Sequence, residues 1–283
     1  MGVFEAIGAD THEQVVFGND PASGLKTIVA IHSTALGPAI GGTRFFPYEN
    51  DEAALHDVLR LSRGMSYKSA AAGLDYGGGK AVIIGDPRKH KTELLLRAYG
   101  RVVDSLGGRY VTAEDVGTSP ADMATISRET KHVVGLPLTH HGSGDPSPAT
   151  ARGVMAAVAS IATRLWGDED ITGKHFAVQG VGKVGMNLVE RLVKRGASVT
   201  VSDVNEEALS LAAEQYGATV VGLDDIFDVE CDVFAPCAMG ASLSESTIPR
   251  LRCQAVIGSA NNQLATPEDA DRLAARGITY APD

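Results

Sequence analysis

The sequence predicts an α/β protein of two domains, the second of which is a doubly wound parallel sheet. Its 283 residues are about twice the length of a typical domain. From Gly173 onward, short apolar runs alternate with helical patterns. A stretch rich in Gly, Pro and His, from Gly135 to Pro146, separates this half from a less regular α/β pattern before it. We therefore predict domains at residues 1–135 and 136–283, with a cleft between them.

The second half has the more regular pattern. Asn205 is a typical helix N-cap because two acidic residues follow it, and Gly196 and Gly217 lie where helices should end. Six strands are predicted near residues 175–179, 198–202, 219–221, 232–235, 255–259 and 278–281. Helices are predicted near residues 148–165, 184–195, 205–216 and 267–275. Strands that alternate with helices in this way favour a doubly wound parallel sheet.

The first half also alternates, but with less regular spacing. Four strands are predicted near residues 14–18, 25–32, 80–85 and 109–113. Helices are predicted near residues 51–64, 91–106 and 119–128. We interpret this half as a separate α/β domain.

Charge and hydropathy exclude several classes of partner. The net charge of −10, spread along the chain, argues against nucleic acid or an anionic membrane surface as a partner. The sequence contains no run of about 18 apolar residues, and its start, Met1 to Ala6, has neither the basic nor the apolar region of a secretory leader. We predict a cytoplasmic protein that binds neither a membrane nor nucleic acid.

The cysteines and histidines do not form metal-binding motifs. Cys231, Cys237 and Cys253 include no CxxC pair, which favours a reducing compartment. His140 and His141 lie in the predicted linker, and no HExxH or Cys/His ligand spacing occurs. We predict no metal site.

A dinucleotide-binding fingerprint begins the second domain. Gly180-Val181-Gly182-Lys183-Val184-Gly185 joins a short apolar strand to an amphipathic helix, as in a Rossmann fold. In that setting Gly180 makes the tight turn, Gly182 lets the backbone approach a pyrophosphate and Gly185 lets the helix pack on the strand. Asp203 ends the next strand, at the spacing expected of the carboxylate that binds the ribose hydroxyls, and no arginine follows closely. The pattern predicts NAD as the cofactor in preference to NADP.

A second glycine run, Gly77-Gly78-Gly79, ends in Lys80 in the first domain. Glycine allows a ligand to approach the backbone closely because no Cβ intervenes. An apolar stretch follows, so we expect the Lys80 ammonium at the mouth of a strand with little water around it. A desolvated lysine can lose its proton near neutral pH and act as a base.

Several motifs in a fixed order resemble the glutamate/leucine/phenylalanine/valine family of amino-acid dehydrogenases, and most closely its branched-chain enzymes. The similarity covers nearly the whole chain. The motifs are Gly41-Gly42-Thr43-Arg44, Arg63-Gly64-Met65-Ser66-Tyr67-Lys68, Gly77-Gly78-Gly79-Lys80, Thr112-Ala113-Glu114-Asp115-Val116-Gly117-Thr118, the fingerprint at Gly180, Ala235-Pro236-Cys237-Ala238 and Ala260-Asn261-Asn262-Gln263-Leu264.

The resemblance implies oxidative deamination of an L-amino acid to a 2-oxo acid with reduction of NAD, and the reverse reaction. It makes the first domain the substrate-binding and oligomerisation domain, in a homo-oligomer. It assigns Lys80 to the activation of water and Asp115 to proton transfer at the amino nitrogen. It assigns Lys68 to the substrate carboxylate, with help from Gly41, Gly42 and Asn262.

The resemblance also implies the remaining site residues. Ile40, Met65 and Ala113 belong to the substrate pocket. The apolar Ile40 cannot neutralise a buried γ-carboxylate, and the small Ala113 favours an aliphatic substrate over an aromatic one. Residues assigned to the cofactor are Gly180, Gly182, Lys183, Val184, Gly185, Asp203, Thr150, Cys237, Ala238 and Asn261.

Two alternatives stay open on the sequence alone. One is the same reaction on an aromatic amino acid. The other is a non-catalytic NAD-binding module, because members of the family continue beyond the segment that ends here at Asp283. On that account we expect a chain of this length to bind NADH but to turn over amino acids poorly.

Overall fold

The computed structural model describes residues 3–9 and 11–283, and the chain forms two compact units that divide between Asp145 and Pro146. The sequence analysis places this division earlier, after residue 135. Met1 and Gly2, on which the prediction of no leader partly depends, lie outside the described residues.

The first unit contains a five-stranded mixed sheet. Its strands are β1 (Gln14–Asp20), β2 (Leu25–Ser33), β3 (Ala39–Phe46), β4 (Gly77–Ile84) and β5 (Tyr110–Glu114). Their order is β1-β2-β4-β3-β5. β1 and β4 run antiparallel to β2, whereas β4, β3 and β5 are parallel to one another.

Helices cover both faces of this sheet. They are α1 (Val3–Ala9), α2 (Asp51–Ala71), α3 (Pro87–His90), α4 (Glu93–Ser105) and α5 (Pro120–Ile126), followed by a 3₁₀ turn at Leu138–His140. α2 begins at an Asn50 cap whose side-chain oxygen accepts from Ala53 N at 2.8 Å. The apolar side of α2 packs with Val82 on one face, and α4 and α5 pack with Ala81 and Ile83 on the other.

The second unit is a parallel sheet of six strands, which confirms the predicted fold class. The strands are β6 (His175–Gln179), β7 (Ser198–Ser202), β8 (Thr219–Val220), β9 (Val233–Pro236), β10 (Ala255–Val256) and β11 (Thr279–Tyr280). Their order is β11-β10-β9-β6-β7-β8. The helices are α6 (Ser147–Trp166), α7 (Lys183–Lys194), α8 (Glu206–Tyr216) and α9 (Glu268–Ala275), with 3₁₀ turns at Asp225–Asp228 and Ile248–Arg250. Apolar clusters form on both faces of the sheet.

The largest differences from the sequence prediction are in the first unit. Strand β3 was not predicted, α2 continues beyond residue 64 to Ala71, and β4 begins at Gly77 instead of residue 80. The glycines at positions 41–42 and 77–79 look like turn residues in the sequence but lie inside β3 and β4. Glycine is needed at these positions because neighbouring backbone and side-chain atoms occupy the space that a Cβ would fill.

Candidate active site

Lys80 lies within strand β4, and this corrects the prediction that it lies at the mouth of a strand. It is 4% exposed. Side chains alternate between the two faces of a strand, and both neighbours of Lys80 on its own side, Gly78 and Val82, face helix α2. Lys80 therefore points to the face of the sheet that α2 covers.

The same alternation brings most of the other predicted residues of this unit to that face. Thr43, Phe45 and Thr112 point to the opposite face, where they contact Tyr99 or the core beneath α4. The intervening residues on β3 and β5 therefore face α2. Those residues are Ile40 and Gly42 on β3, Ala113 on β5 and Asp115 immediately after β5.

The charged groups on this face form a chain of ion pairs. Asp115 Oδ2 lies 3.1 Å from Lys80 Nζ and 3.1 Å from Arg44 Nε. Arg44 also contacts Asp57 Oδ2 on α2 at 2.9 Å, and Asp57 accepts from the hydroxyl of Tyr48 at 2.5 Å. Two carboxylates thus compensate two cations that are almost excluded from water, as buried charges require.

This arrangement keeps Asp115 ionised. Burial by itself raises the pKa of the Asp115 carboxyl, but the positive charges of Lys80 and Arg44 outweigh burial and hold that pKa below its ordinary value. Asp115 therefore presents a carboxylate beside the Lys80 amine at neutral pH.

Glycines permit this pairing by removing side chains from crowded positions. A Cβ on Gly42 would lie 2.5 Å from Glu114 O and 2.8 Å from Asp115 Cβ. A Cβ on Gly78 would lie 2.2 Å from Ser66 N of α2, and one on Gly41 would lie 1.7 Å from Gly79 O. The prediction that the run at Gly77 serves close approach by a ligand is thus corrected at Gly78, where the close neighbour is helix α2.

Buried hydroxyl groups hold β3 in place from the opposite face. Thr43 Oγ1 lies 2.5 Å from both Tyr99 OH and Thr112 Oγ1, and Tyr110 OH donates to Gly41 O at 2.7 Å. All four side chains are completely buried. This network fixes the strand that carries Gly42 and Arg44, which is the kind of support a precisely placed ion pair needs.

Met65 and Lys68 lie on α2 one turn apart, and both side chains are partly buried. The contact between Gly78 and Ser66 places this part of α2 directly over β4, two residues before Lys80. The two residues therefore lie over the face that carries Lys80 and Asp115.

The glycine fingerprint of the second unit has open space where a ligand would need it. A Cβ on Gly185 would lie 2.0 Å from Gly180 O, so Gly185 allows α7 to pack against the preceding loop. Gly180 has a φ of +95°, a conformation that favours glycine. Nothing lies within 4 Å of the Cβ position of Gly182, the N-cap of α7. Lys183 and Val184 form the first turn of α7.

A cavity of about 460 Å³ adjoins this loop. It lies at the carboxyl ends of β6 and β7, where open α/β sheets bind ligands. Gly180, Asp203 and Ala238 line it together with the apolar side chains of Leu223 and Phe227. Its size, one carboxylate and a helix N-terminus fit a nucleotide.

Asp203 is held in place by the backbone of the loop. Its Oδ2 accepts from Val181 N at 2.6 Å, and its Oδ1 accepts from Asn205 N at 2.8 Å. The carboxylate therefore has a fixed orientation at the wall of the cavity and retains lone pairs for ribose hydroxyls.

Three further residues assigned to the cofactor, and Asn262, which is assigned to the substrate, also lie in the second unit. One of them, Cys237, is beside the fingerprint, with its Cβ 3.6 Å from the Cβ position of Gly185. Thr150 is exposed on the first turn of α6, and its hydroxyl donates to Pro146 O at 3.1 Å. Cys237 follows β9, and burial raises the pKa of its thiol. Asn261 and Asn262 lie in the loop after β10, where Asn262 has a left-handed φ of 51° and its backbone N donates to Asp283 Oδ2 at 2.6 Å.

The described residues contain neither a cluster suited to a metal ion nor a helix suited to span a membrane. Within residues 3–9 and 11–283, no three His, Cys, Asp or Glu side chains are grouped as a metal ion would require. Over the same part of the chain, no helix has the length and apolar character needed to cross a membrane.

Comparison with known proteins identifies the family. Residues 12–132 match the profile described as "Glu/Leu/Phe/Val dehydrogenase, dimerisation domain". Residues 142–210 and 205–283 match "Glutamate/Leucine/Phenylalanine/Valine dehydrogenase". The chain belongs to this family. It is an amino-acid dehydrogenase, as the motifs of the sequence predict.

Individual relatives show the same similarity. Leucine dehydrogenase from Geobacillus stearothermophilus is 50% identical over 283 residues, which are 100% of this chain and 77% of that protein. Phenylalanine dehydrogenase from Caldalkalibacillus thermarum (strain TA2.A1) is 52% identical over 277 residues, 96% of this chain and 75% of that protein. The crystal structure of L-tryptophan dehydrogenase from Nostoc punctiforme matches with a TM-score of 0.74 and 45% identity, over 99% of this chain and 80% of that one.

Sequence reasoning missed Arg44 and Asp57 as parts of the charged cluster. Arg44 ends the motif Gly41-Gly42-Thr43-Arg44, and an arginine in an apolar strand needs a buried carboxylate partner. That requirement is a signal for Arg44. No comparable signal identifies Asp57, because it lies on the solvated-looking side of the α2 pattern.

Proposed function

We propose that this dehydrogenase catalyses the NAD-dependent oxidative deamination of a branched-chain L-amino acid, and the reverse reductive amination. The single observation that carries the proposal is the buried contact of 3.1 Å between Lys80 and Asp115, on the face over which Met65 and Lys68 lie. Family membership favours this reading over a non-catalytic nucleotide-binding module.

The proposed roles follow from charge and position. Lys68 binds the substrate carboxylate as a point charge. Asp115, whose carboxyl pKa is lowered, is an anion that attracts the substrate ammonium and exchanges protons with the nitrogen. Lys80, which forms an ion pair with the carboxylate of Asp115, activates the water that attacks the imine carbon. NAD, which the loop of Gly180 and Gly182 together with Asp203 would hold, would supply the acceptor for the hydride of the substrate Cα.

The side chains beside these groups favour an aliphatic substrate. Ile40 and Ala113 lie on the α2-facing side of the sheet, and Met65 is on α2 itself. None of the three can pair with a charged side chain, so a second carboxylate on the substrate would be desolvated without compensation. This argues for leucine, valine or isoleucine over glutamate.

An aromatic amino acid is the second candidate substrate. The phenylalanine dehydrogenase relative has 52% identity, close to that of the leucine enzyme. Overall identity therefore does not distinguish a branched-chain from an aromatic substrate. The choice of substrate depends on pocket residues such as Ala113.

We also propose NAD as the preferred cofactor and a homo-oligomeric state. Asp203 supports NAD because a carboxylate at this wall repels a 2′-phosphate. The description of the first family profile as a dimerisation domain supports self-association through residues 12–132.

Steady-state rates of NADH formation test the substrate. Leucine, valine, isoleucine, phenylalanine, tryptophan and glutamate are compared by kcat/KM at alkaline pH, where deprotonated amines favour deamination. We expect a branched-chain amino acid to rank first and glutamate last. An aromatic amino acid in first place would establish the second candidate. Binding of NADH without reaction of any of the six would refute the proposed function and favour the non-catalytic module.

A further inference from the structure

We propose that Cys231 and Cys253 form a reversible disulfide, a redox-sensitive modification site at the amino-terminal ends of β9 and β10, opposite the end of the sheet that carries the nucleotide cavity. The site consists of two thiols in the segments just before the neighbouring parallel strands β9 and β10, at the same register and on the same face.

The register follows from the pairing on both sides of the cysteines. Glu230 bridges Arg252 before them, and Val233 pairs with Ala255 after them. The two members of each pair are 22 positions apart, as are Cys231 and Cys253 themselves. The cysteines are therefore directly opposite each other, and the backbone of Cys231 donates to Arg252 O at 3.1 Å.

Both thiols lie on one side of the sheet. Each packs against the apolar cluster that contains Phe234 and Val256. Each also lines the same cavity of about 420 Å³, whose wall includes Arg252 and Arg276. A small oxidant or disulfide therefore has access to both sulfur atoms from one opening.

The spacing of the strands suits a disulfide. Neighbouring strands lie about 4.7–4.9 Å apart, and the Cα atoms of disulfide-bonded cysteines are usually about 4.4–6.8 Å apart. Rotation of the two side chains about their Cα–Cβ bonds can therefore bring the sulfur atoms together with little movement of the backbone.

Oxidised glutathione is a suitable oxidant for the reaction. One cysteine thiolate attacks a glutathione sulfur, forms a mixed disulfide and releases one glutathione. The second thiolate then attacks the cysteine sulfur of the mixed disulfide and releases the other glutathione. The cysteine pair loses two electrons and two protons, and the oxidant becomes two glutathione thiols.

The pair is slow to react at neutral pH. Burial, and then the neighbouring Cys253, raise the pKa of Cys231 to about 12, and burial raises that of Cys253 to about 11. Since the thiolate is the nucleophile, oxidation is best measured at pH 9 after long incubation.

The cofactor site should not be affected directly. Cys231 and Cys253 precede β9 and β10, whereas Gly180 and Asp203 follow β6 and β7 in the same parallel sheet. Neither cysteine lines the nucleotide cavity. This expectation about the cofactor depends on the proposed function, but formation of the disulfide does not.

The test is the number of free thiols in the full chain after equilibration with oxidised glutathione at pH 9. The protein is then unfolded and labelled with iodoacetamide, and the labelled peptides are identified by mass spectrometry. We expect three labels before oxidation and one afterwards, on Cys237, with a linked peptide that joins Cys231 to Cys253. Dithiothreitol should restore three labels.

Variants distinguish this pair from other thiol chemistry. Cys237→Ser should still form the disulfide, whereas Cys231→Ser and Cys253→Ser should not. Thermal unfolding of the reduced variants checks that each is folded. Three remaining labels, a persistent single glutathione adduct, or a disulfide that involves Cys237 or a second chain would overturn the proposal.

Discussion

The two units use glycine in opposite ways. In the first unit, the missing side chains of Gly42 and Gly78 are replaced by protein atoms, from the segment after β5 and from helix α2. In the second unit, the Cβ position of Gly182 faces open space. A glycine-rich motif therefore indicates close approach, but its neighbours decide whether the approaching group is protein or ligand.

The units also differ in where their polar groups lie. Lys80 is inside a strand and pairs with Asp115, so its position depends on contacts across β4, β3 and β5. Asp203 follows a strand end and is held by the backbone of its own and the adjacent loop. Changes in the first unit should thus affect chemistry and folding together, whereas changes in the second should affect cofactor binding alone.

Loss of the Lys80 amine should have the largest effect. Lys80→Ala should lower kcat by about 10²–10⁴-fold, the usual contribution of a positioned acid or base, while the NADH dissociation constant stays nearly unchanged. Steady-state kinetics and calorimetry measure the two quantities. Lys89→Ala, on a lysine whose side chain is 76% exposed, is the matched control. Turnover like that of the parent would refute the role of Lys80.

Lys68→Ala should act on substrate binding instead. A hydrogen bond to a charged group contributes about 1.5–3 kcal/mol, so we expect KM for the amino acid to rise by about 10–100-fold with a smaller change in kcat. Lys68→Arg keeps the charge and should recover part of the loss. An unchanged KM in Lys68→Ala would show that another group binds the carboxylate.

Gly42→Ala tests the glycine whose Cβ position is occupied by other atoms of the protein. Its new Cβ would meet Glu114 O at 2.5 Å and Asp115 Cβ at 2.8 Å, so it should displace Asp115 from Lys80. We expect a loss of about 1–3 kcal/mol in the free energy of unfolding and reduced turnover. Gly153→Ala, in open space on α6, is the control and should stabilise by about 0.5–1 kcal/mol. Equal stability of Gly42→Ala and the parent would contradict the crowding.

Gly182→Ala is the corresponding change at the glycine whose Cβ position faces open space. Since nothing lies within 4 Å of the new Cβ and the φ of −65° suits alanine, the free energy of unfolding should not fall. NADH affinity should decrease by about tenfold, or 1.4 kcal/mol, because the methyl group occupies space proposed for the pyrophosphate. Unchanged affinity would place the pyrophosphate elsewhere.

The difference between the two units also explains how much of the fold the sequence could predict. All six strands of the second unit were predicted because each is a short apolar run between loops, and the parallel order follows from the intervening helices. β3 was missed because Gly41, Gly42 and Arg44 interrupt its apolar pattern, although the strand lies between two others. The pattern predicts too early an end for α2 because Gly64 resembles a stop signal, whereas packing on the sheet carries the helix to Ala71.

The sequence predicts which residues form the active site of the first unit, but not which of them contact one another. The motifs indicated Lys80 and Asp115, yet their pairing depends on strand order and on the crowding at Gly42, which are long-range features. The pairing of Arg44 with Asp57 is evident only once β3 and α2 are placed together. The glycine fingerprint is local, so its geometry could be predicted from spacing alone.

Replacement of Asp203 should change cofactor preference and little else. The parent should prefer NAD, because like charges a few Å apart repel even in a partly solvated site. Asp203→Ser removes this repulsion, so the ratio of kcat/KM for NADP to that for NAD should rise by about tenfold or less. The KM for the amino acid should not change, since Asp203 lies in the second unit, where its carboxylate accepts from the backbone of Val181 and Asn205. Asp271→Ser, the same change of charge on an exposed turn of α9, should leave the ratio as it is. If the parent already uses NAD and NADP with equal efficiency, Asp203 does not select the cofactor, and the open loop at Gly182 would have to bind either nucleotide without reading the 2′ position.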